Sequence, residues 1–156
     1  MRLMKHCLRL TFITLTLMLV LAGCRRNETV LKLNEFSSTV SFCGENAEYK
    51  GDFYFVSKDE MSLVIEAPDN IKNCRFTYLD GETTLAFERV TTKMTDNSPV
   101  KILFDIISDF SRKEIMINET VDSVIEEKTS DIEYTVTVSE GKIKEVKSGR
   151  YTFVFS

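Results

Sequence analysis

Hydrophobic positions recur with a period of two over most of the chain. The alternation begins at Phe36 and returns up to the last residues, and turn sequences such as Asp80-Gly81 and Glu140-Gly141 separate the runs. A period of two is typical of half-buried strands, and Asp-Gly is a frequent hairpin turn. We predict strands over residues 36–42, 49–56, 61–65, 74–78 and 83–87, a weaker strand region over 115–125, and strands over 132–138, 142–147 and 151–155.

One segment has the period of a helix. Ser98-Pro99 predicts its start, because serine can cap a helix and proline fits the first helical position. The polar side chains fall within an arc of roughly 100°, and the apolar arc of about 200° is wider than a helix on a flat sheet needs. We therefore expect a curved sheet around it. The apolar positions are Val100, Ile102, Leu103, Phe104, Ile106, Ile107 and Phe110.

Strands joined by short turns, with one helix among them, predict a single antiparallel α+β domain over residues 36–156. We expect an incomplete, half-open β-barrel of about eight to nine strands wrapped around that helix. Residues 49–56 are apolar on both sides near their end, which favours a central, covered strand. The charged run Lys142–Lys147 favours an edge strand.

The first 23 residues have the pattern of an export signal. Arg2, Lys5 and Arg9 form a basic leader, and an apolar stretch runs from Leu10 to Leu21. Its dozen or so residues are short of the roughly 20 that cross a membrane, so a cleaved signal is favoured over a permanent transmembrane anchor.

The run Leu21-Ala22-Gly23-Cys24 is similar to the lipobox of bacterial lipoproteins. The resemblance implies that diacylglycerol is attached to the Cys24 sulfur and that residues 1–23 are removed as a lipoprotein signal peptide. Residues 24–35 would then be a lipidated tether that holds the protein on the outer face of the cytoplasmic membrane. The weaker hypothesis is an ordinary secretory signal with a chance cysteine.

Composition narrows the possible functions. The net charge is −4, and residues 1–23 hold none of the 24 acids, so the remaining chain is more acidic still. This argues against a nucleic-acid partner. The lone histidine lies in the leader, and no nucleophile elbow, phosphate loop or metal-ligand spacing is present, so we expect a non-enzymatic protein without cofactor or metal. The basic residues Lys142, Lys144, Lys147 and Arg150 are interpreted as a solvated strand face in preference to a contact with anionic lipid.

Two cysteines remain beyond the leader and the lipidation site. Cys43 and Cys74 both lie in apolar strand contexts, in a compartment where disulfides form. A disulfide and two separate small core residues are both compatible with the sequence, because strand registry is not readable from it.

The mature chain resembles the lipoprotein-carrier (LolA-like) superfamily, in particular its small lipid-anchored members in Gram-positive bacteria. The resemblance is carried by the strands from Phe36 to Ile65, the strand end Glu66-Ala67-Pro68, the hairpin up to Phe87, the helix after Pro99 and the C-terminal strands. It implies an incomplete barrel whose hollow binds acyl chains. The chain departs from the family in having fewer strands and its own anchor.

Two functions are therefore expected, of which the first is favoured. A lipid, acyl chain or other apolar ligand would bind in the concave side of the sheet. Alternatively, the domain would be a non-enzymatic interaction module for another envelope protein, using Lys142–Lys147 or the acidic stretch from Asp122 to Glu133. The candidate lining residues are Phe53, Phe55, Met61, Leu63, Phe76, Phe87, Leu103, Ile107 and Phe110.

Overall fold

The computed structural model describes residues 28–44, 47–118, 121–129 and 131–156. The predicted signal peptide and Cys24 lie outside these residues. Within them, the chain forms twelve strands, one α-helix and one short 3-10 helix over Asp69–Ile71. The helix α1 spans Pro99–Ser111. The strands are β1 (Glu28–Leu31), β2 (Phe36–Cys43), β3 (Glu48–Ser57), β4 (Glu60–Ala67), β5 (Arg75–Leu79), β6 (Glu82–Phe87), β7 (Val90–Lys93), β8 (Ile115–Asn118), β9 (Ser123–Lys128), β10 (Glu133–Ser139), β11 (Lys142–Ser148) and β12 (Tyr151–Phe155).

Ten of these strands form one open antiparallel sheet in the order β7-β6-β5-β4-β3-β2-β12-β11-β10-β9. Two meanders, β2 to β7 and β9 to β12, are joined where β12 pairs with β2. The antiparallel α+β class is confirmed. The barrel is not confirmed, because the described sheet is not closed, and the number of strands exceeds the eight or nine expected. Strands β1 and β7, and the division of the weak region into β8 and β9, account for the difference.

The sheet curves towards the helix. Tyr78 on β5 and Tyr134 on β10 lie six inter-strand steps apart, about 29 Å in a flat sheet. Both reach the same helix: the Tyr78 ring lies 5.8 Å from that of Phe104, and the Tyr134 hydroxyl donates to Asp109 at 2.5 Å. Phe104 and Asp109 are about 7.5 Å apart along the helix axis. Only a sheet that bends around α1 brings its two halves to such close positions.

The core fills the space between the inner face of the sheet and the helix. Phe53 and Phe104 are fully buried, and their rings lie 6.1 Å apart. Phe155 meets Phe53 edge-on at 5.6 Å. Seven of the thirteen helical residues are buried, including Ser108, which the sequence pattern places on the polar side. Ser98 and Pro99 begin the helix as predicted, although the Ser98 side chain makes no capping hydrogen bond.

The outer face of the sheet is open to solvent. For that reason two predictions are wrong: that β3 is covered on both sides and that the charged strand β11 is an edge. Tyr54 and Val56 are about 43% and 45% exposed, so β3 is central but uncovered on this side. The charged strand β11 is not an edge, since it lies between β10 and β12. Its three lysines are exposed, whereas Ile143 and Val146, on either side of a register shift, are buried, a pattern that a single-layer sheet allows in an interior strand. The edges are β7 and β9.

Part of the predicted tether is folded. Residues 28–31 form β1, which pairs with β8 in a separate two-stranded sheet that we call the β1–β8 ribbon. Leu31, Ile115 and Ile117 point from the ribbon into the core. Among the described residues, no helix is long and apolar enough to cross a membrane.

Candidate ligand-binding cavity

A cavity of about 500 Å³ lies at the N-terminal end of α1, against the inner face of the sheet. This volume falls within the range of small-molecule sites. Five neighbouring strands, β2 to β6, each contribute one side chain to its wall, and the first residues of α1 line the same space. The cavity is lined by Phe42, Gly44, Tyr49, Ile65, Ile71, Cys74, Phe76, Leu85, Met94, Asn97, Ser98, Pro99, Val100, Arg150 and Tyr151.

The inner wall of the cavity is apolar and supported from behind. Phe42, Ile65 and Val100 are at most 4% exposed. The Phe42 ring stacks on Tyr49 at 5.1 Å and is backed by Phe153 at 5.3 Å. Aromatic side chains held on both sides lose little further freedom when a ligand arrives, so the wall is suited to an acyl chain or another apolar group.

The mouth of the cavity is polar and carries one basic side chain, Arg150, which also lines an adjoining groove with four acidic side chains. Arg150 lies over the Tyr151 ring at 5.1 Å and donates to its hydroxyl at 2.9 Å. Ser98, at the start of α1, is 8% exposed and lines the same space, close to the positive end of the helix dipole. Among the described residues, those that line the cavity include no carboxylate. The Arg150 guanidinium is the group at the mouth that an anionic head could contact.

The two cysteines are separate free thiols in this structure. Cys43 is exposed at the end of β2, whereas Cys74 is buried and lines the cavity. Burial raises the pKa of the Cys74 thiol. Cys74 therefore contributes a protonated, weakly polar surface to the wall at neutral pH.

Most of the lining residues expected from the sequence lie in the filled core instead. Phe76 lines the cavity, and Phe87 is partly buried against the core. The remaining seven are at most 3% exposed: Phe53, Phe55, Met61, Leu63, Leu103, Ile107 and Phe110. The alternation shows which side chains face inward. It does not show where the helix leaves the inner face uncovered, and for that reason it does not identify Leu85, Met94 and Arg150 as lining residues.

A second polar cluster joins the C-terminal end of α1 to β9 and β10. The Lys113 ammonium lies 2.9 Å from Asp109, 2.8 Å from Glu127 and 3.3 Å from the Tyr134 hydroxyl. Burial alone would lower the pKa of Lys113, but its hydrogen bonds to Glu127 and Asp109 outweigh this and raise it. Burial and the hydrogen bond to Asp109 raise the pKa of Tyr134. The cluster connects helix and sheet through one ammonium group held between two carboxylates.

Polar grooves elsewhere on the surface are less suited to an apolar ligand. One, of about 650 Å³, is lined by Tyr134, Glu126, Glu127 and other mainly charged or hydroxylated side chains of β9 to β11. The described residues contain no group of three or more His, Cys, Asp or Glu that could hold a metal ion. The cavity at the start of α1 is therefore the candidate site.

Comparisons with known proteins find a likeness to solved structures at low identity. No protein-family model matches the sequence, and no curated protein does. The chain is similar to an uncharacterized conserved protein from Thermus thermophilus, with a TM-score of 0.45, 8% identity, and coverage of 78% of this chain and 76% of that one. It is also similar to a LolA superfamily protein from Nitrosomonas europaea, with a TM-score of 0.39, 12% identity, and coverage of 77% and 56%. At these TM-scores the LolA-like family stays a prediction, and the fold class rests on the strand order of the chain itself.

Proposed function

We propose that this protein is a lipid-anchored lipoprotein that binds an acyl chain or another apolar ligand in the cavity at the start of α1. The lipobox-like run ending at Cys24 supports anchoring on the outer face of the cytoplasmic membrane. The observation that carries the binding role is the cavity of about 500 Å³ with apolar walls and a basic mouth. The proposal assigns no catalysis, and needs neither cofactor nor metal.

The chemistry of the cavity favours an amphiphile with an acidic head. An alkyl chain would lie against Phe42, Phe76 and Val100, where each buried methylene contributes about 0.8 kcal/mol. Its head would remain at Arg150 and the start of the helix, where an anion is stabilised. The sequence resemblance to the lipoprotein-carrier superfamily is compatible with this role.

The first test is titration with a fluorescent fatty acid, with the full chain in a mild detergent. We expect saturable binding to the wild type. Leu85→Trp fills the cavity and should weaken binding at least about tenfold, since much of the chain's apolar contact is lost. The matched control is Leu79→Trp on the adjacent strand, where the side chain is 57% exposed and outside the cavity. Arg150→Gln should weaken binding of the acid more than binding of the corresponding alcohol.

Absence of saturable binding to the wild type would refute the acyl-binding role. The second candidate function would then be favoured, that of an interaction module in the cell envelope. One observation supports it: β9 is a sheet edge that carries the 63% exposed Val124 beside its acids Glu126 and Glu127. Such an edge can receive a strand from a partner.

A further inference from the structure

The β1–β8 ribbon exposes an apolar pair on its outer side. Val30 and Met116 are directly opposite one another in the antiparallel register. They are 43% and 55% exposed, whereas their neighbours Leu31 and Ile115 are at most 9% exposed. The ribbon thus has an inner face that belongs to the core and an outer face that presents a β-branched and a flexible apolar side chain to the surroundings.

The ribbon is also the part of the fold nearest to the predicted lipid. Four residue steps separate Cys24 from Glu28, the first residue of β1. A fully extended chain covers at most about 14 Å in four residues. The covalent chain therefore keeps the ribbon within that distance of the modified residue, and hence of the membrane interface in which the acyl chains are buried.

Lysines lie beside the ribbon and line a groove. Lys32 follows β1 and, by strand periodicity, lies on the side of Val30. It lines a groove of about 480 Å³ together with Lys142 and Lys144 from the start of β11, and with the single acidic side chain of Glu35. All three lysines are exposed. A locally basic groove on an acidic protein has charge complementary to anionic lipid headgroups.

We propose that the outer side of the β1–β8 ribbon is a membrane-docking face that rests on an anionic lipid surface. Val30 and Met116 enter the interfacial region, and Lys32, Lys142 and Lys144 contact the headgroups. The proposal rests on the lipid anchor at Cys24 and extends it, since the anchor alone would leave the orientation of the folded domain undetermined. In this proposal Lys142 and Lys144 contact lipid, whereas their strand pattern alone favours a solvated face.

The chain contains no tryptophan, so a single introduced tryptophan reports on its own position. The full chain is reconstituted into vesicles of brominated phosphatidylcholine and phosphatidylglycerol, and anchoring is checked by flotation. Met116→Trp should be quenched by the brominated chains at least roughly twofold more than Val90→Trp. Val90 is the control because it is 66% exposed on β7, an edge strand of the ten-stranded sheet, to which the ribbon does not belong.

The lysines are tested in the same vesicles. Changing Lys32, Lys142 and Lys144 to glutamine in the Met116→Trp background should reduce quenching, with the docked-to-undocked ratio falling about fivefold for each lysine removed. Flotation should not change. Equal quenching of Met116→Trp and Val90→Trp in protein that floats would overturn the docking face while the anchor stands. Protein that fails to float would overturn both.

Discussion

Tyr134 is the residue through which helix and sheet are joined by polar contacts. Its ring is 3% exposed, yet its hydroxyl reaches Asp109, and the Lys113 ammonium lies 5.4 Å above the ring centre. A buried hydroxyl with these partners holds the C-terminal end of α1 in one position over β10. The sequence shows Tyr134 only as an inward position of a strand, because its partners come from about twenty and more residues away.

Tyr134→Phe should destabilise the fold by about 1.5 kcal/mol at neutral pH, because a hydrogen bond to a charged group is lost. Because the pKa of Tyr134 is raised, the free energy of unfolding also depends on pH. The unfolded tyrosine ionises near 10.0 while the folded one stays protonated, so this part of the stability is present below about pH 10 and is lost as the pH rises further. Urea unfolding at neutral and alkaline pH should therefore show a smaller alkaline loss in the variant.

Tyr54→Phe is the control for that experiment, since Tyr54 is 43% exposed on the open face. It should change neither the neutral stability nor the alkaline loss appreciably. Identical alkaline behaviour of the wild type and Tyr134→Phe would show that the hydroxyl is not held as described.

At the scale of elements, β12 joins the two meanders. It pairs with β11 on one side and with β2 on the other, and Ser156 and Thr39 exchange two backbone hydrogen bonds of 3.0 Å. The last strand in the sequence therefore completes the sheet in its centre. Its inward residues Phe153 and Phe155 contact aromatic rings of both β2 and β3.

Phe153→Ala should cost about 3–5 kcal/mol of stability, because a fully buried ring is lost at the join between the meanders. The next residue provides a matched control on the same strand. Val154 is 44% exposed, and Val154→Ala should cost about 0.5 kcal/mol. Denaturant unfolding of both variants tests this, and comparable losses would mean that β12 contributes through its backbone pairing alone.

Strands and helices with a clear hydrophobic period could be predicted from the sequence. Features that depend on long-range pairing or packing could not. The alternation located β2 to β6 and β10 to β12, and Ser98-Pro99 located α1. The four residues of β7 are all exposed and carry no alternation. The position of β11 inside the sheet depends on long-range pairing, which its lysines do not encode. The cavity depends on where a helix stops covering strands, a property of the assembled fold rather than of any one segment.

At the scale of the whole molecule, the cavity and the proposed docking face lie at opposite ends of α1. Ser98 and Val100 line the cavity, and Ile115 begins the ribbon a few residues after the helix ends. The helix has 13 residues, which corresponds to a length of about 20 Å. The mouth of the cavity is thus held away from the part of the protein nearest to the proposed anchor at Cys24.

Asn97→Trp tests this separation, because Asn97 is an exposed residue at the cavity mouth. In the brominated vesicles it should be quenched little by lipid, whereas acrylamide in the aqueous phase should quench it readily. Adding a fatty acid should then shield it from acrylamide. Lipid quenching as strong as that of Met116→Trp would place the mouth at the membrane instead.

Because the ribbon is separate from the large sheet, the predicted tether over residues 24–35 could lengthen if β1 came away from β8. While β1 is paired with β8, at most about 14 Å of extended chain connects Cys24 to the folded body. Tension on the proposed lipid anchor would act first on this four-residue strand, and peeling it away would leave the pairing of the ten-stranded sheet intact. The slack would then extend from Cys24 to Phe36, about 40 Å when taut. If the proposed lipid anchor is present, the folded body would stand close to the membrane at rest and could move farther from it under tension.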